Sequence, residues 1–113
     1  MPDTVAAAAS LVVLWTKPED ADEFDRDYAR HHVPLIWELP GLTGARTWTL
    51  RSRTHHRMAQ LDFASRDDLK AALSSPAGQA MAGDAQRLER TFAVSAESHL
   101  AIAEPPVRPA AER

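Results

Sequence analysis

Ser10-Leu11-Val12-Val13-Leu14-Trp15-Thr16 is a continuous apolar, β-branched run, closed by Lys17-Pro18. It reads as a strand. Successive side chains of a strand point to opposite faces. Leu11, Val13 and Trp15 take one face and Val12 and Leu14 the other, and both sets are apolar. Such a strand needs cover on two sides. Helices of the same chain can supply one. The chain has 113 residues, enough for one domain and not two. A second copy of the sheet is then the simplest cover for the other face, which predicts a homodimer of two-fold symmetry.

Asp20 to Leu39 reads as a helix. Asp20 and Glu23 form a capping-box pattern, and acidic residues crowd the first turn. Phe24, Tyr28, His31 or His32, Leu35 and Leu39 recur at steps of three or four. Pro34 removes the amide that would bond the Arg30 carbonyl, so a kink or break is expected near Val33. Pro40-Gly41 ends the helix. Thr43 to Arg51 and His56 to Phe63 alternate as strands, joined by a hairpin around residues 52–55. Ser65 starts a second helix, and Ser75-Pro76 a third with Met81, Ala85 and Leu88 inward. Thr91 to Leu100 reads as the last strand, with Phe92 and Val94 as its apolar positions.

The order β-α-β-β-α-β is the ferredoxin-like motif, an α+β fold with a four-stranded antiparallel sheet and helices on one face. The folded unit is expected over residues 10–102, with 1–9 and the proline-bearing 103–113 as flexible tails.

Composition removes several kinds of chemistry. There is no cysteine, so disulfides, thiolate metal sites and cysteine nucleophiles are excluded. The net charge is −3, which gives no electrostatic case for nucleic acid. The apolar run from Val5 to Trp15 is far shorter than the about 20 residues of a membrane span. Asp3 stands where a secretory signal carries Lys or Arg, so a cytoplasmic protein is expected. Only four glycines occur, with no phosphate-cradling loop or dinucleotide fingerprint. No metal site is read among the five histidines, because adjacent histidines such as His31-His32 and His55-His56 point in different directions. No cofactor is expected.

The chemistry that remains is proton transfer, pocket electrostatics, or a reactive substrate that itself activates oxygen. His32 lies four residues after Tyr28, on the helical face that must look at the sheet. A histidine facing an apolar pocket can titrate near neutral pH and exchange a proton with a substrate. Tyr28 can orient the imidazole or donate to an oxyanion. The competing reading makes His32 a buried histidine bonded to a backbone carbonyl at the Pro34 kink. Trp15 and Trp48, on strands, would wall a pocket for a flat apolar molecule, with Phe24 and Leu35 on the helix and His56 opening the third strand. Each of these aromatic residues also reads as ordinary core or interface filling. Arg46, Arg51, Arg53 and Arg57 read as a solvated hairpin tip.

The segment Phe24-x-x-x-Tyr28-x-x-x-His32-x-Pro34-Leu35, followed by Leu39-Pro40-Gly41, resembles the EthD family of the dimeric α+β barrel superfamily. Leu61-x-Phe63-x-Ser65 and Ser75-Pro76-x-Gly78 are similar to that family's third strand and following helices. The resemblance implies a dimeric α+β barrel and a small-molecule pocket between sheet and helices. It implies a place among cofactor-independent isomerases, dehydratases, decarboxylases and oxygenases, with His32 at the family's usual catalytic position. The substrate expected is small and hydrophobic: aromatic, polyketide-like or a lactone. Two alternatives stand beside the enzyme. One is a non-catalytic dimer that binds a hydrophobic molecule and assists an oxidative pathway. The other is a structural dimer without a pocket.

Overall fold

The structure, a computed structural model, describes residues 7–106. Strand β1 (Ala9–Thr16) leads through Asp20, whose carboxylate accepts the Glu23 amide, into helix α1 (Ala21–Asp27). A wide π-helical turn (Tyr28–His32) joins α1 to α2 (Val33–Trp37). The hairpin β2 (Leu42–Thr49) and β3 (His55–Phe63) follows, then α3 (Arg66–Ser74), α4 (Pro76–Phe92) and β4 (Ala96–Ile102). The four strands form one antiparallel sheet in the order β2-β3-β1-β4. This is the ferredoxin-like arrangement expected from the element order.

Strand pairing divides the sheet into two faces. Leu11 and Leu61 lie opposite each other, as do Val13 and Ala59. These residues pack with Ile36, Leu39, Leu69, Ala72 and Met81 of the helical layer. A second cluster joins Trp15, Phe24, Tyr28, Leu88 and Val94, and Val13 touches both. The other face carries Val12, Leu14, Met58 and Trp48 in neighbouring register. No helix of the chain covers it among the described residues, and these side chains are left partly exposed.

The disturbance expected in the long helix near Val33 takes the form of a widened turn. The Val33 amide instead bonds the Tyr28 carbonyl, five residues back, and the chain resumes with Pro34 in the first turn of α2. Proline tolerates a first turn because the amide there has no helical partner. The extra residue in the wide turn advances the helix by one position. Ile36 therefore takes the inward place that α-helical spacing gave to Leu35, and Leu35 is left half-buried beside the core.

The last strand also starts later than the sequence suggests. Residues 91 and 92 continue α4, which ends on Ala93 in the left-handed conformation (φ 54°). Phe92 packs edge-on against Phe24 at 5.4 Å. The inward stripe Ala85, Leu88, Phe92 keeps helical spacing, and the Phe92–Val94 alternation, which resembles the start of a strand, lies across the helix end. The expected core of 10–102 differs from the sheet's extent by one residue, since β1 opens at Ala9 and Ala103 donates its amide to the Ala8 carbonyl. Residues 1–6 and 107–113, in the expected tails, lie outside the described residues. No helix among the described residues is long and apolar enough to cross a membrane.

Ser75 is the joint of the helical layer. Its hydroxyl donates to the Ala72 carbonyl and accepts the Gly78 amide, so one side chain ends α3 and caps α4. The two helices meet so closely that a Cβ on Gly78 would overlap the carbonyl oxygens of Ala72 and Leu73. Backbone cannot yield there as a flexible side chain would. Gly78→Ala is expected to lower stability by about 1–3 kcal/mol, read as a fall in the urea midpoint with an unchanged slope.

Candidate functional site

A cavity of about 340 Å³ lies between the sheet and the helices, at the seam of the two core clusters. Its existence follows from small residues meeting across the seam. The inward stripe of α4 brings Gly78, Ala82 and Ala85, while the sheet offers Val13, Ala59, Ala96 and Ser98. Larger side chains complete the lining: Trp15 and Tyr28 from one core cluster, Leu61, Ile36 and Met81 from the other. The size is that of an ordinary small-molecule site.

The wide turn aims two of the polar groups. Tyr28 and His32 are both buried and both line the cavity, their rings 5.1 Å apart. Trp15 meets His32 edge-on at 5.7 Å and Tyr28 at 5.9 Å. The Tyr28 hydroxyl and the Trp15 indole N–H are buried without a hydrogen-bond partner among the described residues. Burial pushes the Tyr28 hydroxyl up to about 12, so it stays protonated as a donor.

His32 is held from behind. Its Nδ1 lies 2.9 Å from Asp84 Oδ2 on α4. A carboxylate only accepts, so Nδ1 carries the proton and Nε2 is the basic nitrogen of the neutral ring. Burial lowers the histidine's pKa below 6.5, and the bond to Asp84 restores only part of that. Asp84 is anchored in turn: Arg87 Nε donates to its Oδ1 at 2.8 Å. Burial would raise the Asp84 carboxyl, but Arg87 and His32 together hold it below the usual carboxylate range. Arg87 also forks onto Asp27 at 2.6 and 3.0 Å, and His31 closes the row on Asp27 at 3.2 Å. The chain His32–Asp84–Arg87–Asp27–His31 thus runs from the cavity wall to the surface.

Three of the seven residues proposed from sequence line the cavity: His32, Tyr28 and Trp15. The backbone carbonyl suggested as a partner for His32 is replaced by the Asp84 carboxylate. Phe24 stands behind the wall, packed on Trp15, Tyr28 and Phe92. Leu35 yields its place to Ile36. His56 is turned elsewhere. A register slip at Trp15/Thr16 makes it the extra residue of a bulge, and both His56 and Arg57 donate to Asp25 Oδ1, at 2.8 and 2.7 Å. Arg57 then lies 4.6 Å over the Tyr28 ring. Trp48 is on the opposite sheet face, beside Arg46, and takes no part in the cavity.

Asp84, Arg87 and Glu89 were not singled out from sequence. The signal was present as helical spacing on α4: Met81, Ala85 and Leu88 fix the inward stripe, and Asp84 borders it. No group of three or more potential metal ligands gathers among the described residues.

The EthD domain model matches residues 16–91, two-thirds of the chain. The chain belongs to the EthD family. A Rhodococcus erythropolis protein described as an uncharacterized 11.0 kDa protein in the thcB-thcC intergenic region is 29% identical over 79 residues, 66% of this chain and 77% of its own. An EthD family protein of Bacillus halodurans superposes with a TM-score of 0.73 at 23% identity, covering 88% of this chain and 99% of its own. A variant of SnoaB, a cofactor-independent oxygenase from Streptomyces nogalater, superposes with a TM-score of 0.69 at 20% identity, covering 90% and 98%. At these identities the two structures establish a shared fold.

Two outcomes are expected of the EthD site's polar row. In Asp84→Asn the amide oxygen takes the Arg87 bond, the amide N–H₂ faces Nδ1, and the His32 proton moves to Nε2; nitrogen-15 correlation spectra of the imidazole would show the switch. The second concerns pH. His32 has a lowered folded pKa, so the unfolded chain binds its proton first and stability falls as pH drops below 6.5. Asp84, Asp27 and Asp25 are also lowered, and their contribution is lost as pH falls below 3.8. Denaturant midpoints measured against pH should show both declines, and His32→Gln should remove the first and, through Asp84, reduce the second in part.

Proposed function

We propose that this EthD protein is a cofactor-independent enzyme acting on a small, largely apolar molecule, with His32 as general base. One observation carries the reading: a neutral imidazole on the wall of an apolar cavity, with its Nδ1 proton committed to Asp84 and Nε2 left to accept. Removal of a proton from carbon beside a carbonyl leaves the electron pair on the substrate as an enolate. The unpartnered Tyr28 hydroxyl and Trp15 N–H are donors suited to that oxyanion. Returning the proton at another carbon isomerises the substrate, and loss of hydroxide as water dehydrates it. An electron-rich carbanion can also react with dioxygen directly, so that a CH₂ becomes a carbonyl and the second oxygen atom leaves as water. The likeness to SnoaB, described as a cofactor-independent oxygenase, supports this last outcome.

The same reading includes a homodimer. Among the described residues no helix covers the face carrying Val12, Leu14, Met58 and Trp48, and a second sheet would bury it.

Native mass spectrometry should give a dimer. Anthrone-type and lactone substrates supply the activity test. Turnover by the native chain should fall roughly 10²–10⁴-fold in His32→Ala, the usual worth of a general base, with circular dichroism unchanged. Turnover that survives the substitution would overturn the assignment of His32.

A further inference from the structure

The lining of the cavity holds one carboxylate and no lysine or arginine. Glu89, near the end of α4, reaches the cavity beside Ala96 and Ser98 of β4. Its Oε2 accepts the Ala96 amide at 2.9 Å, which ties the carboxylate to the first residue of the strand. No bond to Oε1 is found among the described residues. The two nearby guanidiniums lie outside the lining: Arg57 bonds Asp25 through one Nη and lies over the Tyr28 ring, its Nε without a partner among the described residues, and Arg87 is shared by Asp27 and Asp84. The polar groups facing the cavity are otherwise uncharged: the His32 imidazole, the Tyr28 hydroxyl, the Trp15 N–H and Ser98.

These charges discriminate between ligands. A carboxylate or phosphate in the cavity would find no cation on its walls, since Arg57 lies behind the Tyr28 ring, and would face Glu89. A hydroxyl would instead donate to the free oxygen of Glu89, a bond stronger than one between neutral groups. We propose that Glu89 is a specificity-determining residue that makes the cavity select uncharged, hydroxyl-bearing apolar ligands, of which phenols are the simplest, over carboxylates of the same shape. This rests on the reading of the cavity as the ligand site. The His32 end supplies the base, and the Glu89 end fixes which way round a flat molecule lies.

The test uses the full chain and two probes of matched shape, 2-naphthol and 2-naphthoate, at neutral pH. Binding is read by calorimetry in the native protein and in Glu89→Gln. The glutamine amide oxygen can still accept the Ala96 amide, so the fold is kept, and circular dichroism checks it. Any apolar cavity prefers the uncharged probe, because a carboxylate is costly to desolvate. The decisive quantity is therefore the change in the ratio of the two affinities. The native ratio should favour 2-naphthol, and Glu89→Gln should shrink it about tenfold, the worth of one hydrogen bond to a charged acceptor. An unchanged ratio, with both probes binding, overturns the role of Glu89 and leaves the cavity as a ligand site. Failure of both probes to bind overturns the cavity reading and the selectivity together.

Discussion

Pro34 has no amide hydrogen, and its ring crowds the carbonyl four residues before it. A helix meeting such a residue can stop, bend or widen. Here it widens, and the bond from Val33 to Tyr28 is the result. That one bond sets the rest of the site. It keeps Tyr28 and His32 together on the inward side while shifting every later residue by one place. Had α-helical spacing continued, Leu35 would face inward in place of Ile36. Wide turns of this kind recur where a helix must present a functional side chain at an angle the regular spacing does not provide.

The aimed histidine would be a poor base without Asp84. A buried imidazole is free to carry its proton on either nitrogen, and only one choice leaves the cavity-facing nitrogen basic. Asp84 makes that choice because a carboxylate cannot donate. Arg87 in turn keeps Asp84 ionised and oriented, and Asp27 accepts one bond from each Nη of Arg87. Two aspartates around one arginine leave the row with a negative balance next to a neutral ring. The same row joins α1, the wide turn and α4, so geometry that orients the base also fastens the helical layer. Loss of Asp84 should therefore be felt both in tautomer and in stability, and the Asn variant separates the two by keeping the Arg87 bond.

Much of this was legible in sequence because it rests on local chemistry. The strand pattern of Leu11–Trp15, the caps at Asp20, Ser65 and Ser75, and the pairing of Tyr28 with His32 are matters of spacing within one element. The parts that were not legible depend on distant partners. Residues 32 and 84 are 52 positions apart, and nothing in the spacing of either helix says that they meet. His56 looked like a strand residue with a free choice of face until the bulge turned it toward Asp25. Trp48 looked like a pocket wall because aromatic residues on strands suit that use. Its register with Met58 and Leu14 instead puts it on the open face. A one-residue change in register exchanges the two faces of a strand, and no single-strand pattern fixes it when both faces are apolar.

The two-faced strand accounts for the division of labour between the faces. On the helical side, small residues meeting among larger ones leave a space that packing would otherwise close. On the open side, Val12, Leu14, Met58 and Trp48 form an apolar surface without a comparable hollow among the cavities of the described residues. Pairing that bare face with a second copy would stiffen β1, the strand that carries Trp15 and Val13 to the cavity wall. Self-association would then act on the site from behind, through the strand, without contributing a residue to it.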